Sequence, residues 1–414
     1  MKYNFGVLLL ITIALCGCKD KLNPSVRTES KTPIKDSLTL ELQNLSKGYF
    51  DGMGVAIVDE TGVLYQNGIG LSDVETNSDY TINTIQPIAS VSKTLIGISL
   101  LKAQEQGLLQ LDDPVNKYLP FQVSNPNYPE LPITIRQLAT HTSTIIDTEV
   151  YMNTSYVLKD EIKRDSSKTN SYPQNFNPPS AKIPLSQYLE NYLSPNGMWY
   201  NSNSFLNQMP GHRFEYSNVG ATLAAYIIER VSHQSYAQFT DLHILKPLNM
   251  TQTGWDYNSV NYETVSTLYS SPKTSIPHYS LITYPDGGLL TNVSDLGKYL
   301  TELIKGYSGK GTLLSKESYN ILFETQLNAE HFTERDANHP YDDEYNSGIF
   351  MGFSALGNIG HTGGDPGVST LLFFNSEDKI GRLLLVNTNI ENQDGVNAYF
   401  NIFNTLGEYS ELLK

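Results

Sequence analysis

Three short strings in this 414-residue chain carry residue types and spacings suited to nucleophilic chemistry: Ser90-Val91-Ser92-Lys93, Tyr216-Ser217-Asn218 and His361-Thr362-Gly363. A serine hydroxyl attacks a carbonyl only when a neighbouring base takes its proton. On a helix, Lys93 stands three residues from Ser90 on the same face and reaches its hydroxyl, whereas the adjacent Ser92 faces elsewhere. Because an ordinary lysine is protonated at neutral pH, Lys93 has to be tuned. Lowering its pKa by about 3 units corresponds to roughly 4 kcal/mol against the charged form, available from burial or a nearby cation. Tyr216 offers a phenol that relays protons beside such a cation, and Asn218 offers both donors and an acceptor to a substrate amide.

The first two strings recur as patterns, so their surroundings have to select them. Ser-x-x-Lys also occurs at Ser99–Lys102, Ser270–Lys273 and Ser376–Lys379. Ser376 and Lys379 sit in a polar stretch between apolar runs and read as a hairpin turn, and Ser271-Pro272 makes Ser270 a surface loop. Ser99 lies inside the apolar run from Leu95 to Leu101, where its hydroxyl bonds back to its own helix. Ser90 alone stands at a helix start, where free N–H groups and the helix dipole favour developing negative charge; the helix runs to Gly107. Among the Tyr-x-Asn strings, Tyr65 reads as a strand entering an Asn67-Gly68 turn and Tyr151 as part of a polar loop. Tyr216 directly precedes the helical run Ala221–Val231.

Gly360-His361-Thr362-Gly363-Gly364 lies between the β-rich runs Ile349–Phe353 and Thr370–Phe374, and reads as a strand edge lining a cleft. Glycines there let a substrate backbone approach, and the edge offers main-chain groups to an extended peptide. Other strands are expected near Gly54–Val58, Gly62–Gln66 and Arg382–Val386, with helices from about Val91, Ala221, Val293 and Lys316 and after Asp394. Both ends of the chain thereby contribute to one sheet.

In order and chemistry the three strings resemble the penicillin-recognising serine hydrolases, the family of class C β-lactamases, D-alanyl-D-alanine carboxypeptidases and related esterases. Leu111–Pro120, Ile133–Ser143, Pro247–Met250 and Gly287–Thr291 are similar to stock segments of the same family. The resemblance implies an α/β fold: an antiparallel sheet flanked by helices, built from N- and C-terminal segments, with an inserted, mainly helical lobe at about residues 100–280. It implies Ser90 as nucleophile, Lys93 and Tyr216 as proton carriers, and Asn218, His361, Thr362 and Gly363 as substrate-binding residues. The backbone N–H groups of Ser90 and Gly364 would form the oxyanion hole. Two departures stand out. Thr144 occupies a position where the family usually has Gly, and His361 stands where most class C β-lactamases have Lys. A histidine loses its charge near neutrality, so binding of a substrate carboxylate is expected to weaken as pH rises through the His361 pKa.

Met1-Lys2, the short apolar run Val7–Leu15 and the string Leu15-Cys16-Gly17-Cys18 read as a bacterial lipoprotein signal over residues 1–17 with lipidation at Cys18. Residues 18–36 read as a flexible tether and residues 37–414 as the hydrolase domain. Both cysteines precede that domain, which leaves it without disulfide or thiol chemistry. The net charge of −15 opposes nucleic acid and anionic lipid, so the membrane contact of an exported, membrane-anchored lipoprotein would be its acyl chain. No cofactor is called for. The eight histidines are scattered without metal-ligand spacing, and Asp342-Asp343-Glu344 reads as a solvated turn. The polar stretch from Asp147 to Gln208 reads as an insertion that shapes substrate choice. The expected activity is acyl-enzyme hydrolysis of small peptide or amide substrates such as stem peptides ending in D-Ala-D-Ala. An esterase or weak β-lactamase on the same site is the first alternative, and a non-catalytic lipoprotein that senses cell-wall peptides or β-lactams is the second.

Overall fold

Strand β1, Gly52–Asp59, is buried along almost its whole length because both of its faces meet apolar layers. Val55 and Ile57 face one hydrophobic cluster, while Ala56 and Val58 face another. In the computed structural model, which describes residues 33–160, 176–332, 347–354, 356–390 and 392–414, β1 is central to a seven-stranded antiparallel sheet. The other strands are β2 (Gly62–Asp73), β3 (Ser78–Asp79), β4 (Gly352–Phe353), β5 (Asn358–Asp365), β6 (Val368–Asn375) and β7 (Gly381–Val386), in the order β4-β5-β6-β7-β1-β2-β3. The N-terminal hairpin and the C-terminal strands join where Met53–Val58 pair with Val386–Gly381. Residues 1–17, Cys18 and the acidic string at 342–344 lie outside the described residues.

On one face of the sheet, helices α1 (Ile34–Ser46) and α5 (Gln393–Leu413) bury Leu38, Leu42, Ile402 and Leu406 against Val55, Ile57 and Leu384. Helix α1 begins at Ile34, inside the stretch expected to be tether up to residue 36, because Leu38 and Leu42 give it an apolar stripe to bury. On the other face lie α2 (Lys93–Glu105), α3 (Asn218–Ser232) and α4 (Val293–Tyr307). Nearly every residue of α2 is buried, whichever way it points, so this helix forms the middle of the molecule. The intervening chain supplies the mainly helical lobe, with short helices at Ile135–Ala139, Glu149–Thr154, Leu185–Leu193 and Tyr236–Thr240.

Three local expectations are corrected. Strand β2 runs straight through Asn67-Gly68, which is no turn; Gly68 is required because a Cβ there would lie 2.2 Å from the Tyr80 carbonyl oxygen of the chain packed beside it. Tyr151 belongs to the helix Glu149–Thr154 and is buried, its polar flanks notwithstanding, because it faces the interior. Ser270 lies in a strand, Leu268–Ser271, which pairs with Thr274–Ile276 across a turn where Lys273 takes a positive φ of 66°. By contrast, Ser99 does bond back to Leu95 O at 2.7 Å, and Ser376–Lys379 does form the connection between β6 and β7.

Candidate active site

Ser90 sits in a 3-10 turn, Ala89–Ser92, that runs directly into α2. Ala89 has a φ of +48°, an uncommon conformation for a residue with a side chain, held here by the packing of Ile88, Ala89 and Val91, each 0% exposed. The turn points the Ser90 hydroxyl back along the first turn of α2, where Lys93 Nζ donates to Ser90 Oγ at 2.9 Å. Lys93 Nζ also donates to the main-chain oxygen of Asp286 at 2.6 Å and lies 5.1 Å from the centre of the Tyr216 ring. The Tyr216 phenol interacts with both the Lys93 amine and the Ser90 hydroxyl. The structure thus brings together three groups that are far apart in the chain.

Tyr216 is held from both sides. The His141 ring stacks on it at 4.4 Å between centroids, and Nδ1 of His141 accepts the Ser217 N–H at 3.1 Å. His141 O accepts the Glu215 N–H at 2.8 Å, so the histidine grips the residues before and after the tyrosine. Beyond Tyr216 the chain enters α3, whose first N–H groups are taken by Asp147: Asn218 N at 2.8 Å and Val219 N at 3.0 Å, with Ser217 Oγ at 3.2 Å. A carboxylate on a helix N-terminus makes charge-assisted bonds, each contributing about 1.5–3 kcal/mol, and so fixes where α3 starts and where half-buried Asn218 stands.

Strand β5 closes the site. Its outer edge pairs with β4 only at Gly360 and Ile359, which leaves His361–Asp365 without a strand neighbour on that side among the described residues. Thr362 and Gly364 are exposed at this edge, and a Cβ on Gly364 would meet nothing within 4 Å. Gly363 faces inward, where a Cβ would lie 2.4 Å from Ile88 O and 3.3 Å from the Ser90 nitrogen. Gly363→Ala is therefore expected to push β5 off the nucleophile turn and lower kcat/KM by on the order of a hundredfold, as an ångström of misplacement does. Gly364→Ala is expected to leave the turn in place. Steady-state rates and circular dichroism of the two variants check the contrast, which equal losses would refute.

The electrostatics differ from the sequence-based expectation. Burial pushes the Lys93 amine down, but the Tyr216 phenol and the carboxylates of Asp286 and Asp365 outweigh it, and its pKa stands above the ordinary lysine value. The anticipated depression is corrected: Lys93 is 0% exposed, yet anions surround it. Burial raises the Tyr216 phenol, against the opposing pull of Lys93. The His361 imidazole is lowered to about 3 by burial and by Lys93. It stays neutral across the physiological range, so its titration imposes no loss of carboxylate binding near neutrality. His361 Nδ1 faces Thr362 O at 2.5 Å, which places the ring proton there and leaves Nε2 as an acceptor.

Sequence reading missed the second layer: His141, Asp147, Asp286, Asp365, Tyr151 and Tyr156. Tyr156 donates to Asp365 Oδ1 at 2.5 Å, and Tyr151 donates to Asp286 Oδ2 at 3.2 Å. Asp147, Tyr151 and Tyr156 all come from the stretch read as an insertion, which therefore also buttresses the site from behind. The available signals were the segment Ile133–Ser143, which contains His141, and the departure at Thr144 beside it. The φ at Thr144 is +71°, the left-handed conformation that favours Gly, and it is occupied by a β-branched residue whose Oγ1 accepts Asn125 Nδ2 at 2.9 Å.

Comparison with known proteins gives a consistent result. A family model described as Beta-lactamase matches residues 40–406. Protein flp of Staphylococcus aureus (strain MW2) is 25% identical over 360 residues, covering 85% of this chain and 63% of that protein, so the chain spans less than two thirds of this relative's length. A penicillin-binding protein homologue from Pyrococcus abyssi, an octamer, shares the fold with a TM-score of 0.67 at 24% identity, over 92% of this chain and 77% of its own. A D-amino acid amidase from Ochrobactrum anthropi SV3 does so with a TM-score of 0.65 at 18% identity, over 91% of this chain and 99% of its own.

Proposed function

The chain belongs to the beta-lactamase family, whose fold is that of serine hydrolases, and from this premise we propose that it hydrolyses small amide or peptide substrates through an acyl-enzyme on Ser90. The observation that carries the reading is Lys93 Nζ at 2.9 Å from Ser90 Oγ, with the centre of the Tyr216 ring 5.1 Å from the same nitrogen. In this mechanism Ser90 Oγ attacks the substrate carbonyl carbon, and its proton passes to the Lys93–Tyr216 pair. The two groups are coupled closely enough to titrate as a unit, and the pair is a base once it has lost one proton. The carbonyl oxygen becomes an oxyanion held by the N–H groups of Ser90 and Gly364. The pair returns the proton to the departing amine, and water then releases the acyl group along the same route. An extended substrate lies along the open edge of β5, beside the exposed Thr362.

Stem peptides ending in D-Ala-D-Ala fit such a groove and an exported lipoprotein. Neutral His361 favours a second reading on the same machinery, an esterase whose substrates carry no free carboxylate at that point. Export and a lipid anchor on Cys18 are part of the proposal, supported by the Leu15-Cys16-Gly17-Cys18 string; a mature protein beginning elsewhere by mass spectrometry would remove them.

Labelling with a fluorescent penicillin and a fluorophosphonate tests the activity. Labelling by both, lost in Ser90→Ala, supports a peptidase or lactamase; labelling by the phosphonate alone supports the esterase. No Ser90-dependent label would leave the fold as a binding module that senses cell-wall peptides or β-lactams, and would overturn the proposal.

A further inference from the structure

Asp286 is a buried acid with no part in the mechanism above. It ends the turn Tyr284–Asp286, ahead of Gly287-Gly288, and its side chain is enclosed, the residue being 1% exposed. Its main-chain oxygen accepts the Lys93 ammonium at 2.6 Å, so covalent geometry keeps its carboxylate close to the same amine. The carboxylate is itself built into the core: Oδ2 accepts from Tyr151 at 3.2 Å and from Thr222 Oγ1 at 3.0 Å. These donors favour the charged form, which the apolar surroundings oppose.

We propose that Asp286 is a positioning residue that sets the charge of the base: its carboxylate holds the proton on Lys93, so the acidic limb of Ser90 reactivity belongs to Asp286 as much as to Lys93 and Tyr216. The inference rests on the hydrolase reading and names the group that regulates it. The charged groups facing Asp286 are Lys93 from α2, Asp365 from β5 and Asp147 from the segment before Glu149–Thr154; the phenols facing it include Tyr151, Tyr156 and Tyr216. His141 and His361, which also face Lys93, are both held neutral by burial and add no charge. Burial lifts the Asp286 carboxyl to about 7, so the anion is present above neutrality and lost below it. Removing it lets burial lower the Lys93 amine, and the base forms at lower pH.

The test is the second-order rate of labelling by a fluorophosphonate as a function of pH. Asp286→Asn keeps an oxygen to accept from Tyr151 and Thr222 but carries no charge, and its acidic limb is expected to move down by on the order of one pH unit. Asp286→Ser likewise carries no charge and offers an oxygen to the same donors, and is expected to move the limb the same way. This second variant carries the test if the first does not fold. An unmoved limb with a uniformly slower rate, or a limb moved upward, overturns the role of Asp286 while wild-type labelling at Ser90 keeps the hydrolase reading intact. A wild type that does not label at all refutes that reading instead.

Discussion

Ser90→Ala is expected to retain the fold and lose turnover by roughly 10⁴- to 10⁶-fold, the scale seen when a nucleophile is deleted from machinery that acts as a unit. The substitution removes one half-buried hydroxyl bonded by Lys93 Nζ, so the core is untouched and thermal stability should change little. Residual activity should fall to what the oxyanion hole and binding alone support. Steady-state kinetics on an ester, a β-lactam and a D-Ala-D-Ala peptide read the effect. A variant that retains even a tenth of wild-type turnover on the best of these would show that another group is the nucleophile.

Lys93→Met is expected to act on both activity and stability. Methionine replaces most of the buried volume but removes the ammonium, and loss of the acid–base group alone lowers kcat by roughly 10²- to 10⁴-fold. The stability effect has a sign fixed by the acids around it. Burial raises Asp286 to about 7 and Asp365 to about 6, above the value near 4 of an unfolded chain. A group with a raised folded pKa contributes stability that is fully present below its unfolded pKa and is lost as pH rises through its folded value. Without Lys93 the two carboxylates have to ionise with no counter-ion, at a cost of about 3–5 kcal/mol. Urea midpoints should therefore separate wild type from variant more at pH 9, where both acids are charged, than at pH 5, where both are protonated. An equal separation at the two pH values would mean that Lys93 is not their counter-ion.

Much of the architecture and the three site strings could be read directly because the signals were local. Apolar runs marked β1 and the C-terminal strands, and the position of Ser90 ahead of an apolar helix separated it from three other Ser-x-x-Lys strings. Spacing on a helix carries Lys93 to Ser90 wherever the helix goes. The errors arose where a distant segment overrode a local cue. Asn67-Gly68 has the composition of a turn, but its glycine serves the close approach of Tyr80. Tyr151 has polar neighbours, but its own ring packs inward and reaches Asp286, 135 positions away.

The sequence by itself determined which atoms could react: a hydroxyl and an amine three residues apart, a phenol before a helix, and a glycine-lined strand. Only the tertiary structure decided how those atoms are charged and held. Lys93 keeps its proton because Tyr216, Asp286 and Asp365 arrive from far along the chain, and His361 stays neutral because folding removes it from water. Covalent spacing places a side chain relative to its own helix, but a pKa sums desolvation and every nearby charge, and these exist only once remote segments have packed together.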